Sequence, residues 1–198
     1  MAFNGKKPFS DPFTSGLHKE TVRSLDRLPV TIFLCGPGMK KKPAYGRKVI
    51  DIRSFVKSKL KNELKHCEVK IGEHREMIRA FAEAVGRRAA NLADHEFALA
   101  KKKGIDLIII FPCSPGSFAE LGMFCLTESI AGKMRIFVNR RHRKKKSYLM
   151  EGPVKAAEQN NAKVFYIHYS RRNEIWHEIK DIVLEVKAKK RRRKLFAN

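Results

Sequence analysis

A single carboxylate, Glu120, stands where an apolar strand gives way to a helix, in the segment Asp106 to Gly122, DLIIIFPCSPGSFAELG. The β-branched run Leu107 to Phe111 reads as a buried strand, and Pro112 breaks it. A tight Pro-Gly-Ser turn follows. A helix is predicted from Ser117 to about Ala131, with Glu120 in its first turn. In open α/β sheets, ligands bind just outside the carboxyl ends of the strands. A carboxylate held there can stabilise an oxocarbenium-like transition state, or bond to the carbon it attacks. The same residues also spell a simpler device. Ser117-Phe118-Ala119-Glu120 has the form of a capping box, in which Ser117 caps the helix and Glu120 bonds back to the Ser117 amide. Both roles fit the residues. Ser114, Gly116 and Ser117 are candidate substrate contacts, and the amides of Gly116 and Ser117 suit an anion such as a phosphate. Gly122 is expected to let the helix pack closely and so fix the carboxylate.

Other candidates fall at the same sheet edge. Cys35, Gly36, Pro37 and Gly38 end the first strand, where glycine lets backbone approach a base or ribose. Glu73, followed by His74, comes after the second strand and can bind ribose hydroxyls or move a proton. Asn139 ends the fourth strand, and Tyr148 lies in the loop beyond it, able to stack on a base. Asp94, His95 and Glu96 are consecutive within a helical stretch, so they point to different faces and read as mostly solvated.

The elements that position these residues alternate along the chain. Strands are predicted at Val30 to Cys35, Glu68 to Gly72, Asp106 to Phe111, Arg135 to Asn139 and Lys163 to His168. Between them lie helical patterns: Arg47 to Leu64, Arg75 to Ala100 with a break near Gly86 to Asn91, the Glu120 helix, a short helix opening at Gly152-Pro153, and a last helix with Ile175, Trp176, Ile179, Ile182, Val183 and Val186 on its buried face. Such alternation signals an α/β fold: a three-layer Rossmann-like or flavodoxin-like sandwich around a five-stranded, mainly parallel sheet. Residues 1–28 read as an N-terminal arm, 29–186 as the α/β domain and 187–198 as a basic tail.

Charge narrows the partners. Forty-three Lys and Arg against 20 Asp and Glu give a formal net charge of +23, so the surface attracts polyanions, nucleic acid first. Two runs are densest. One is RRHRKKK, with Arg140, Arg141, Arg143, Lys144, Lys145 and Lys146. The other is KAKKRRRK, with Lys190, Arg191, Arg192 and Arg193. Neither interleaves aromatics, so contact with the phosphate backbone rather than base stacking is expected. Cys35, Cys67, Cys113 and Cys125 match no zinc pattern or disulfide framework and read as reduced thiols of a cytoplasmic protein. No metal or cofactor is expected, and no apolar run reaches the ~18 residues of a membrane span.

Cys113 to Gly122 (CSPGSFAELG) and the first-strand turn Phe33 to Gly38 (FLCGPG) resemble the nucleoside 2-deoxyribosyltransferase-like family, most of all its branch among bacterial retron effector proteins. The resemblance spans roughly Val30 to His168. It implies that Glu120 attacks the anomeric carbon of a nucleoside, a nucleotide or a dinucleotide such as NAD. It implies a toxic effector in antiphage defence, restrained by the retron's RNA–DNA hybrid and accompanied by its reverse transcriptase. It also implies a homodimer or larger assembly, in which residues after the fourth strand help close the sugar pocket. Classical transferases of this family carry an acidic residue shortly before the nucleophile helix. Phe111-Pro112-Cys113-Ser114 has none, so hydrolysis is expected over base exchange. Two alternatives remain open: a non-catalytic nucleic-acid-binding module, and a lonely-guy-type nucleotide phosphoribohydrolase, whose PGG-x-GT-x-x-E motif PGSFAE echoes without its second glycine.

Overall fold

Five short segments form the strands: β1 (Val30–Cys35), β2 (Cys67–Lys70), β3 (Leu107–Ile110), β4 (Met134–Asn139) and β5 (Lys163–Ile167). The computed structural model describes residues 27–38, 51–72, 79, 82–83, 91–144 and 146–196. Residues 1–26 of the expected arm over 1–28, together with Glu73, His74 and Lys145, lie outside them. The strands form one sheet in the order β2-β1-β3-β4-β5. All four ladders are parallel. This is the doubly wound, flavodoxin-like order, and its direction of winding reverses between β1 and β3.

Parallel sheets need cover on both faces, because each crossover returns across one of them. Here α1 (Ile52–Glu63) and α6 (Arg172–Phe196) cover one face, burying Val56, Leu60, Ile175 and Ile179 against Ile32, Leu107 and Ile109. On the other face lie α2 (Leu92–Lys101), α3 (Pro115–Phe124), α4 (Glu128–Ala131) and α5 (Lys155–Gln159). They bury Leu99, Leu121, Phe124 and Ile130 against Phe33, Ile108 and Ile136. With both faces dry, every residue of β3 and β4 is buried. Stacked rings link three neighbouring strands: Phe111, just after β3, lies 5.3 Å from Phe137, and Phe137 lies 4.9 Å from Phe165.

Three expectations shift in register. The Glu120 helix starts at Pro115 rather than Ser117 and stops at Phe124, with a separate turn of helix at α4. Proline suits the first helical position, where its missing N–H costs nothing and its φ is already set. Pro153 lies inside a widened helical turn, Met150–Val154, that leads into α5 instead of opening it. The basic run 187–194 continues α6 as helix.

Candidate active site at the sheet edge

The turn before α3 is built by two serines. Ser114 is the helix cap, and its Oγ accepts the Ser117 amide at 3.3 Å. Ser117 reciprocates: its Oγ accepts the amides of Ser114 at 2.9 Å and Cys113 at 3.0 Å. The capping box is therefore Ser114 with Ser117, not Ser117 with Glu120. A helix that starts at Pro115 carries Glu120 into its second turn, beyond the reach of the orphan amides that a cap serves. Glu120 is 6% exposed and shares the inward face of α3 with Ser117, Leu121 and Phe124. Ser117 is itself buried, and its hydroxyl is engaged within the turn. Gly116 is open, with nothing within 4 Å of where a Cβ would stand. Gly122 is equally open, so the expected close helix packing at that residue does not occur.

Across the β1–β3 reversal the first-strand turn is held by a residue that motif reading missed. Arg53, in the first turn of α1, is fully buried. Its Nε donates to Leu34 O at 3.1 Å. One terminal nitrogen donates to Gly36 O at 3.2 Å and Pro37 O at 3.3 Å. Helical side chains lean toward the helix N-terminus, which carries this guanidinium back over the strand end. Cys35 is fully buried in the core beneath the turn, while Gly38 stands open.

A second buried carboxylate sits at the end of β2. His95 and Glu96, expected on a solvated face, are 4% and 5% exposed. The buried stripe of α2 is His95, Glu96, Leu99 and Ala100, and Leu92 is exposed instead. Packing of α2 on α3 decides this rotation, and the helix's own pattern is too weakly apolar to dictate it. Gly72 makes room for Glu96: a Cβ there would stand 2.1 Å from Glu96 Oε1. Among the described residues, Glu96 and Glu120 are the buried carboxylates. Gly72→Ala is expected to push the Glu96 side chain out of its seat and to cost about 1–3 kcal/mol as an overpacked site. Urea unfolding midpoints of the variant and the native protein check this.

Burial, with Lys102 nearby, lowers the His95 pKa from its ordinary 6.5. Below pH 6.5 the unfolded chain takes up a proton that the folded one refuses. Stability from this residue is therefore level above about pH 7 and falls on acidification. Denaturation midpoints at pH 5.5 and 7.5 are expected to show the loss, and His95→Gln to reduce it.

The remaining candidates divide between this edge and the outer side of α3. Asn139 is buried, and its Oδ1 accepts the Arg141 amide at 3.2 Å, capping the turn Arg140–His142. Arg140, Arg141, Arg143, Lys144 and Lys146 are exposed around that turn. Tyr169, not singled out in the sequence, donates its hydroxyl to Phe137 O at 2.6 Å, and burial holds that phenol protonated. Burial, with Asp51 nearby, raises the Cys113 thiol to about 11, so at neutral pH it is not a thiolate nucleophile. Tyr148 is 88% exposed. It lines a cavity of about 460 Å³ with Gly122, Leu126, Gly152 and Pro153; Glu120 is not among the described residues lining it. Among the described residues, no group of three or more His, Cys, Asp or Glu could hold a metal ion. No described helix is long and apolar enough to cross a membrane.

This arrangement has relatives. Residues 49–197 match the family of the STM3845 retron effector protein. The chain belongs to that retron effector family. It is also similar to two Escherichia coli proteins. Over 61 residues, 31% of this chain and 20% of the relative, it is 38% identical to the "Retron Ec86 putative ribosyltransferase/DNA-binding protein". Over 158 residues, 79% of this chain and 47% of the relative, it is 27% identical to the "Retron Ec73 putative ribosyltransferase/DNA-binding protein". The retron effector thus spans less than half the length of these two relatives in the matched regions. Its Glu120 segment lies within the family match.

Proposed function

We propose that this retron effector cleaves the N-glycosidic bond of a nucleoside, a nucleotide or an NAD-like dinucleotide, with Glu120 as nucleophile. One observation carries the reading. Glu120 is buried in the second turn of α3, at the β1–β3 reversal, while the capping is done by Ser114 and Ser117. A buried acid with no capping duty, at the edge where such sheets bind ligands, suits chemistry better than architecture. The names of the two Escherichia coli relatives point to the same class of sugar chemistry.

In this reading a Glu120 oxygen bonds to the anomeric carbon as the carbon–nitrogen bond breaks. The base leaves with that electron pair and takes up a proton. Water then attacks the same carbon, releases the sugar and restores the carboxylate. Gly36, Pro37 and Gly38, braced by Arg53, form one wall, and the open backbone at Gly116 forms another. Glu73 and Asn139 complete the proposed contacts; Tyr148, expected to stack on a base, stands instead by a cavity whose described lining does not include Glu120.

The reading includes a biological setting: a toxic effector in antiphage defence, held in check by the retron's RNA–DNA hybrid and reverse transcriptase. The basic turn Arg140–Lys144 leaves β4 at the Glu120 edge and offers the nucleic acid one contact. A second copy is proposed to cover the apolar outer side of α3, where Phe118, Leu126 and Tyr148 are exposed. The decisive test is Glu120→Gln, assayed for release of free base from nucleosides, nucleotides and NAD.

A further inference from the structure

A parallel sheet gathers all its strand entries at one edge, and here that edge collects lysines from distant parts of the sequence. Lys65 precedes β2, and Lys101, Lys102 and Lys103 precede β3; all four are exposed. Lys133 precedes β4 and folds back so that its Nζ donates to Lys102 O at 3.0 Å. Lys163 opens β5 and is exposed. None of these belongs to the two dense basic runs.

The end of α6 joins this edge. Lys190 Nζ donates to Pro29 O and to Asp106, both at 2.7 Å, which pins the helix across the entries of β1 and β3. Glu185 meets Lys163 at 4.0 Å and Lys189 at 2.6 Å, pinning the same helix near β5. Lys190 is therefore spent on holding the helix, while Arg192, Arg193 and Lys194 point to solvent. The acids here are few and largely engaged. Asp106 holds Lys190, Glu185 is shared by two lysines, and Glu68 is paired with Lys70. Glu128 and Glu158 stand toward the β4–β5 side, so the positive face centres on the β2, β1 and β3 entries and the end of α6.

We infer that this edge, at the opposite pole from Glu120, is the main docking face for the backbone of a double-helical nucleic acid. The inference rests on the nucleic-acid partner proposed above and not on the proposed chemistry. Residues 187–194 carry one apolar side chain, Ala188, and the exposed Leu195 and Phe196 follow only at the helix end, so the basic stretch has no continuous apolar stripe to bury in a lipid surface. They span roughly 12 Å of helix, along which a duplex presents about seven phosphates. A duplex docked here leaves the Glu120 edge open. The basic turn after β4 is then a separate, minor contact.

The test is anisotropy titration of a short fluorescent RNA–DNA hybrid over a range of salt. The proteins compared are the native chain, the triple variant Lys101→Gln, Lys102→Gln, Lys103→Gln, the double variant Arg192→Gln, Arg193→Gln, and the triple variant Arg140→Gln, Arg143→Gln, Lys144→Gln. Circular dichroism confirms that each is folded. The first two are expected to lose at least tenfold in affinity. For the Lys101–Lys103 variant the slope of log affinity against log salt is expected to shrink by about 2–3. The third is expected to lose less than threefold, and Glu120→Gln nothing. Native affinity in both pole variants, with loss confined to the β4-turn variant, overturns the location while leaving the partner. Absence of any binding by the native chain overturns the partner as well. Tighter retention on phosphatidylserine vesicles than on the hybrid assigns the face to a lipid surface and overturns the inference.

Discussion

Glu120→Gln is expected to lower N-glycosidic cleavage by about 10³-fold or more while leaving the protein folded. Loss of a nucleophile removes an interaction made only on the way to the transition state, so it shows as a fall in kcat more than a rise in KM. At 1.36 kcal/mol per factor of ten, the expected loss corresponds to about 4 kcal/mol of barrier. The amide keeps the size of the acid but neither bonds to an anomeric carbon nor balances its positive charge. The substitution is clean because α3 does not depend on residue 120 for its cap: Ser114 and Ser117 supply both halves of the box. Because the amide is nearly isosteric with the acid, the melting temperature is expected to stay close to the native value. Chromatography of released base, with thermal melts of both proteins, measures the two quantities. Unchanged cleavage in a folded Glu120→Gln protein would falsify the nucleophile assignment. A parallel fall of activity and melting temperature would point to a structural acid.

Arg53→Met is expected to be the most damaging single change to stability, at about 3 kcal/mol. The guanidinium donates to the carbonyls of Leu34, Gly36 and Pro37. Hydrogen bonds from a charged donor are worth about 1.5–3 kcal/mol each, and orphaned buried carbonyls add a penalty. Relief of burying a charge offsets part of the sum. For a chain of this size, 3 kcal/mol corresponds to a fall of about 6–12 °C in Tm. Arg53→Lys is expected to recover less than half of it. An ammonium keeps the charge but not the planar fork that spans one strand carbonyl and two in the turn. The same change loosens the wall facing α3, so KM for the cleaved substrate is expected to rise in whatever protein remains folded. Calorimetric Tm and steady-state kinetics of the two variants check both statements. A Met variant as stable as the native chain would show that the turn holds itself.

Much of the fold was legible because its signals are local. The β-branched runs VTIFLC and LIII are short, apolar and bounded by Gly or Pro, and they are strands β1 and β3. Alternation with helical periods implied parallel ladders and two covered faces. The cap of α3 was legible only in part. Ser114 and Ser117 share the three-residue spacing of a capping box with Ser117 and Glu120, and both serines precede helical sequence. Only the position of Pro115 in the first turn chooses between them. That choice alters the reading of Glu120 more than any other single feature.

By itself the amino-acid sequence determined the five strands, their alternation with helices, a strongly positive net charge and a lone acid beside the central strand. These follow from side-chain volume, branching, periodicity and charge, which act within a few residues. Tertiary structure alone decided which groups the winding brings together. It rotated α2 so that His95 and Glu96 turn inward, and it laid the Arg53 side chain over the end of β1. It also drew Lys65, Lys101 and Lys133 to one edge while Glu120 faces the other. These are contacts between residues tens of positions apart, and the packing of helices on a shared sheet sets them, with no short-range signal in the chain to announce them.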